Sequence, residues 1–191
     1  MNPTEEAAGA TSAQSQPRVF PIPGTNLGRV LSEPEFRRAF HDKLKKYNPV
    51  IVALYRIGVL PLFGAARSIM LLTTKGRKSG KSRQVPVGYF RIGGVFHLFS
   101  VWGKKANWYK NLVANPENVS IQIGWKKLPV RAWVLENPVE IQRTLEQFVT
   151  ESPQQARYLF GWDPAQDRIE TADFSAIIDK VLVVRFEEKQ G

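Results

Sequence analysis

The sequence has no cysteine. That excludes disulfide bonds, thiolate nucleophiles and cysteine-bound zinc together. A chain without cysteine suits a reducing compartment, so a cytoplasmic location is expected. Histidine is nearly absent as well, with only His41 and His97. A Ser-His-Asp hydrolase or a zinc-protease helix needs histidine partners that this chain does not have. No metal ligands and no catalytic side chain are expected, and any hard chemistry falls to a bound cofactor. Acidic residues are also scarce: 17 Asp and Glu stand against 27 Lys and Arg, a net charge of +10. Such a balance favours an anionic partner, whether nucleic acid, anionic lipid, or a small molecule bearing phosphate or carboxylate.

Long apolar runs are missing too. NPVIVALYRIGVLPLFGAAR is interrupted by Arg56 and Pro61, whereas a membrane-crossing helix needs about 20 continuous apolar residues. A short buried or interfacial helix ending near Gly58 to Pro61 is expected instead. The N-terminus has neither an apolar core nor a basic start, so it does not resemble a secretory signal.

At 191 residues the chain suits one domain and a tail. Residues 1–27, rich in Ala, Ser, Thr, Pro and Gln, read as a disordered tail. Residues 28–67 read as a helical segment. Within it, Ser32 is the expected N-cap of a basic amphipathic helix carrying Phe36, Phe40, Leu44 and Tyr47 at helical spacing. Its apolar stripe packs on the domain or touches an anionic membrane at the inner face. Residues 68–191 read as the main domain. SIMLLTT, RQVPVGYFRI and VFHLFSV are strands, and Gly93-Gly94 is the hairpin turn between the last two. Pro86 places its strand at a sheet edge or a bulge. NWYKNLVANP and NPVEIQRTLEQFVTES are helices, VSIQIG and KLPVRAWVLE form a further hairpin, and DKVLVVRFEEK is the final strand. Hairpins dominate, which predicts an α+β fold with an antiparallel sheet or small barrel and helices outside.

The most charged stretch is TTKGRKSGKSRQVPVG, residues 73–88. GRKSGKS looks like a nucleotide phosphate loop, but Gly76 and Gly80 enclose three residues where that loop needs four, and a strand follows instead of a helix. Arg77, Lys78, Lys81 and Arg83 nonetheless cluster on a glycine-marked turn, with Ser79 and Ser82 as short donors. Such a turn is either a solvated basic loop or an anion site. A nucleic-acid module would interleave cations with aromatic residues on one face. Here they gather on one turn and one helix, so no nucleic-acid partner is expected.

LLTTKGRKSGKSRQVPVGYFRIGG, then WYKNLVANPENVSIQIG, then KLPVRAWVLE, in that order, resemble the deazaflavin-dependent nitroreductases. These are the F420-dependent quinone reductase branch of the split β-barrel flavin and deazaflavin oxidoreductases, and the likeness spans about residues 48–150. The resemblance implies a split β-barrel and the deazaflavin coenzyme F420, whose tail carries a phosphodiester and polyglutamate. It implies that Arg77, Lys78, Ser79, Lys81 and Arg83 meet that tail, with Ser100 also in the cofactor site. Pro86 and Val87 would lie along the ring system, and Trp108 and Asn111 would contact the cofactor from its other side. Tyr158, Phe160 and Trp162 would form the acceptor wall. The implied reaction is hydride transfer to a quinone, nitroaromatic or other conjugated small-molecule acceptor. After Ser100, relatives commonly carry a lysine where this chain has Val101. FMN is therefore the alternative cofactor, and the alternative function is a split-barrel protein that binds FMN, lipid or another small molecule without deazaflavin turnover.

Overall fold

The computed structural model of the protein describes residues 17–62 and 67–189. In chain order the elements are β1 (Arg18–Val19), α1 (Asn26–Ser32), α2 (Pro34–Arg56), α3 (Val59–Leu62), β2 (Ile69–Lys75), β3 (Ser82–Gly88), β4 (Phe90–Ile92), β5 (Val95–Ser100), α4 (Asn107–Ala114), β6 (Val119–Ile123), β7 (Lys126–Leu135), α5 (Pro138–Glu151), α6 (Pro153–Phe160), β8 (Ala172–Asp173), α7 (Ser175–Ile178) and β9 (Leu182–Glu188). Seven strands make one antiparallel sheet in the order β3-β2-β6-β7-β9-β5-β4. β3 and β4 are separated only by Tyr89, yet they occupy opposite edges of that sheet. The sheet must therefore curl until one residue bridges its edges. This is the expected α+β split β-barrel, and Pro86 lies in an edge strand, where its missing N–H costs no ladder bond on the free side.

The curl separates two cores. Inside the barrel, Met70, Leu72, Phe96, Leu98, Ile121, Val130, Val184 and Phe186 pack together and α4 adds Leu112. Outside, α5 and α6 cover the sheet with Leu145, Phe148, Ala156 and Phe160, joined by Phe20, Trp162 and Phe174. Strand alternation explains the partition, because successive side chains point to opposite faces. The β4–β5 turn is Gly93-Gly94 with φ of 57° and 77°, a conformation that side chains disfavour and that matches the twist of a tight hairpin.

Three sequence expectations change. Residues 1–16 of the expected tail lie outside the described residues, but residues 17–27 are built into the domain. Arg18 and Val19 pair with β8, and the Phe20 ring is fully buried against Phe160, Trp162 and Phe174. Ser32 does not cap α2: it ends α1, its hydroxyl donating to the Gly28 carbonyl at 2.7 Å, and Pro34 opens α2. The two expected N-terminal helices are one, continuous through Pro49. An internal proline costs about 3 kcal/mol, and packing at both ends of α2 outweighs that cost. At one end Phe40 stacks on Trp102. At the other the buried Tyr55 hydroxyl accepts from the Gly124 N–H at 2.8 Å and donates to the Ile69 carbonyl at 3.1 Å.

His97 is buried on the outer face of β5, its Nδ1 3.1 Å from the Val95 carbonyl. Arg185, Glu140 and Glu151 surround it electrostatically, but burial dominates and lowers its pKa from the usual 6.5. The unfolded chain then takes up a proton that the folded chain resists. The His97 contribution to stability is fully present above the usual value and is lost as pH falls through and below it. Urea midpoints should decline between pH 7 and pH 5, and His97→Gln should flatten that slope. The depressed carboxylates Glu117, Glu151 and Asp173 act at lower pH, below their ordinary values of 4.5, 4.5 and 3.8.

Candidate cofactor site

Pairing directions fix which chain segments meet at one end of the barrel. β2 and β5 run the same way, because an even number of antiparallel steps separates them. The C-terminal ends of β2 and β5 and the start of β3 therefore share one rim. The basic turn 76–81 leaves β2 there, and the 101–106 connection leaves β5 there on its way to α4.

The turn is closed by its own backbone. The Gly76 N–H donates to the Lys81 carbonyl and the Gly80 N–H to the Gly76 carbonyl, both at 2.8 Å. Gly80 sits at φ +66°, where a side chain would be strained. A row of asparagines on α4 then fixes the turn in place. Asn107, Asn111 and Asn115 recur every four residues and so share one helix face. Asn111 Oδ1 accepts from the Arg77 backbone N–H at 3.2 Å and from its guanidinium at 3.1 Å. Asn107 Oδ1 lies 3.5 Å from the same guanidinium, and Asn115 Nδ2 donates to the Lys75 carbonyl at 3.3 Å. Arg77 is thus partly committed to holding the turn. Lys78, Lys81 and Arg83 are exposed, and their side chains have no hydrogen-bond or ion-pair partner among the described residues. Ser79 Oγ turns back to accept from the Lys81 N–H at 3.4 Å.

Register then sorts β3 by face. Thr74 is paired with Arg83, Leu72 with Val85 and Met70 with Val87, and cross-strand partners share a face. Arg83 and Val87 therefore lie on the inner side, Arg83 at its rim. Pro86 is paired with Leu71 on the outer side, where Arg56 of α2 donates to Gln84 at 2.6 Å. The two residues expected along the ring system are on opposite faces of one edge strand. Trp108 and Asn111 are on α4, Trp108 packed against the inner core and Asn111 buried under the turn.

At this rim two hydroxyls are buried without a hydrogen-bond partner: Thr74 Oγ1 and Ser100 Oγ, with the residues 2% and 5% exposed. Unsatisfied buried donors are uncommon in folded proteins. Together with three unpaired cations they make a donor set that lacks only an anionic acceptor, and a phosphodiester with carboxylates fits it.

Past Ser100, Lys105 is exposed with no side-chain partner among the described residues. Val101 packs against the outer core. Lys104 is bonded to Glu136 at 3.1 Å, and that hydrogen bond raises its pKa. Trp102 is clamped by α2, with Phe40 stacked at 6.4 Å and His41 edge-on at 5.0 Å. The expected acceptor residues separate. Phe160 and Trp162 are 0% and 4% exposed and belong to the outer core, while Tyr158 is 74% exposed on α6. Their spacing explains this: residues 158 and 160 fall two apart on a helix and so face different directions. Among the described residues no cluster of His, Asp and Glu is suited to a metal.

Sequence reasoning missed Thr74, Asn107 and Asn115. The asparagine row was visible as an i, i+4, i+8 pattern. Thr74 lies inside the quoted basic-turn motif, but nothing in the sequence singled it out within that motif, because burial without a partner is a tertiary property.

A family model described as F420H(2)-dependent quinone reductase matches residues 58–164, more than half of the chain. The protein belongs to that family, and it is a deazaflavin-dependent oxidoreductase with F420 as its cofactor. Among solved structures, an F420-H2 dependent reductase, FDR-A, is 32% identical over 63% of this chain and 95% of its own, with a TM-score of 0.41. A structure described as a domain-swapped dimer is also 32% identical, over 63% of this chain and 81% of its own, with a TM-score of 0.41. The conserved hypothetical protein Rv2991 from Mycobacterium tuberculosis is 18% identical over 69% and 79%, with a TM-score of 0.45.

Proposed function

We propose that this protein reduces a quinone, nitroaromatic or other conjugated acceptor, with the basic turn as its cofactor anchor. The observation that carries this reading is the turn itself: Lys78, Lys81 and Arg83 left unpaired on a loop that Asn111 holds in place. When bound, the reduced deazaflavin supplies the hydride. The chain's own residues do the rest. Arg77 sets the turn, Lys78, Ser79, Lys81 and Arg83 bind the anionic tail, and Ser100 offers a buried hydroxyl. The Pro86–Val87 backbone, Trp108 and Asn111 border the ring system. Tyr158 is the exposed aromatic available to an acceptor, whose reduction consumes one proton besides the hydride. Hydroxyl groups or solvent supply that proton.

The second reading is a split-barrel carrier of FMN or another small molecule, and the packed Val101 is what favours it. Fluorescence titration with oxidised F420 and with FMN separates the two. Saturable F420 binding in the micromolar range, followed by F420H2-dependent reduction of menadione, supports the oxidoreductase. FMN binding alone supports the carrier, and binding of neither sinks the F420 oxidoreductase and the FMN carrier alike.

Peripheral membrane contact belongs to this proposal. α2 exposes Phe40, Tyr47 and Val50 beside Lys43, Lys45 and Lys46, a composition suited to anionic lipid. Among the described residues no helix is long and apolar enough to cross a membrane.

A further inference from the structure

We infer that Thr74, through its buried hydroxyl, is a further cofactor-holding residue that donates to the phosphodiester of the F420 tail. The inference rests on the cofactor site proposed above. Thr74 is the inner-facing residue of β2 nearest the rim, one position before the turn begins at Lys75–Gly76. Its cross-strand partner is Arg83, one of the three unpaired cations. Its other neighbour in the sheet, Val119 of β6, offers no side-chain acceptor. α4 lies above it, tied by Asn115 to the Lys75 carbonyl. The hydroxyl is therefore enclosed by strand, turn and helix, and none of them accepts its proton.

A β-branched residue suits this strand position, and valine would occupy the same volume with no polar atom to strand. A valine would therefore stabilise the protein without ligand. Threonine is the right residue only where something accepts the hydrogen bond. The acceptor must be an oxygen that arrives with a ligand, and the adjacent guanidinium makes a phosphate oxygen the fitting one. A hydroxyl donor and a guanidinium on neighbouring strands, both on the inner face, can hold two oxygens of one phosphodiester.

Thr74→Val and Thr74→Ser separate this role from packing. Affinity is read by fluorescence titration with F420, with FMN, and with the deazaflavin ribityl alcohol that lacks the phosphodiester tail. Thr74→Val should bind F420 about tenfold more weakly, the effect of losing one hydrogen bond to a charged group. It should bind the tail-less compound as the wild type does, and it should melt at or above the wild-type temperature without ligand. Thr74→Ser keeps the hydroxyl and should bind F420 within about twofold of wild type. Equal F420 affinity for Thr74→Val and wild type overturns the inference while leaving the family reading intact. So does a Thr74→Ser variant as weak as Thr74→Val, which would make the methyl group the relevant part. A wild-type protein that binds FMN but not F420, or neither, overturns the inference together with the reading it rests on.

Discussion

Replacing Lys78, Lys81 and Arg83 together by glutamine is expected to raise the Kd for F420 by about 100-fold, each lost exposed charged contact weakening binding roughly fivefold. The fold should be unaffected, because none of the three side chains has a hydrogen-bond or ion-pair partner to lose among the described residues. The melting temperature should stay within about 2 °C of wild type, as exposed substitutions usually change stability by less than about 0.5 kcal/mol. Wild-type affinity should also fall as salt rises from low to physiological strength, since these charges face solvent and are screened over about 8 to 10 Å. The triple variant should have lost most of that salt dependence. Arg77→Gln is the informative contrast. It removes a group that Asn111 uses to fix the turn, so it should weaken binding even at high salt. A triple variant with wild-type affinity would remove the basic turn from the cofactor site.

Phe160→Ala is expected to destabilise the protein by about 3 to 5 kcal/mol, the usual cost of truncating a fully buried aromatic ring. At this chain length the melting temperature should drop by roughly 10 °C. The Phe160 ring meets Phe20 at 5.9 Å, Phe148 at 5.9 Å and Phe174 at 6.0 Å, so its removal opens a void between the N-terminal segment, α5 and α7. F420 affinity and the acceptor KM, measured well below the transition, should be near wild type. Tyr158→Ala should do the opposite, leaving stability alone and changing the acceptor KM. An unchanged melting temperature with a raised KM for Phe160→Ala would show that the ring faces an acceptor and not the core.

Much of the barrel was legible because its signals are local. Gly93-Gly94 demands a tight turn, alternation in VSIQIG and KLPVRAWVLE marks half-buried strands, and the proline in RQVPVG marks an edge. What stayed illegible depends on partners distant in sequence. Residues 17–27 look like linker by composition, yet Phe20 is among the most buried side chains because Phe160, Trp162 and Phe174 are brought to it. Pro49 looks like a helix end, but Tyr55 and Phe40 anchor the helix on both sides of it. At the site, the cations of the turn are contiguous and so were readable, whereas Thr74 owes its interest to a missing partner. The acceptor wall read from YLFGWDP shows the opposite error. Aromatic density suggests a pocket, and here most of it fills a core.

The segment that runs from β3 through Tyr89 into β4 has a mechanical consequence. β3 and β5 are joined at the Tyr89 end, through β4, and are not paired with each other toward the rim where Arg83 and Ser100 lie. The two strands are arranged like the arms of a pair of tweezers, with the hinge at the far end from the tips. Spreading the tips breaks no ladder hydrogen bond, because none links the arms. What holds the tips together is instead side-chain bonding: the asparagine row of α4, which follows β5, ties Arg77 and Lys75 down across the rim.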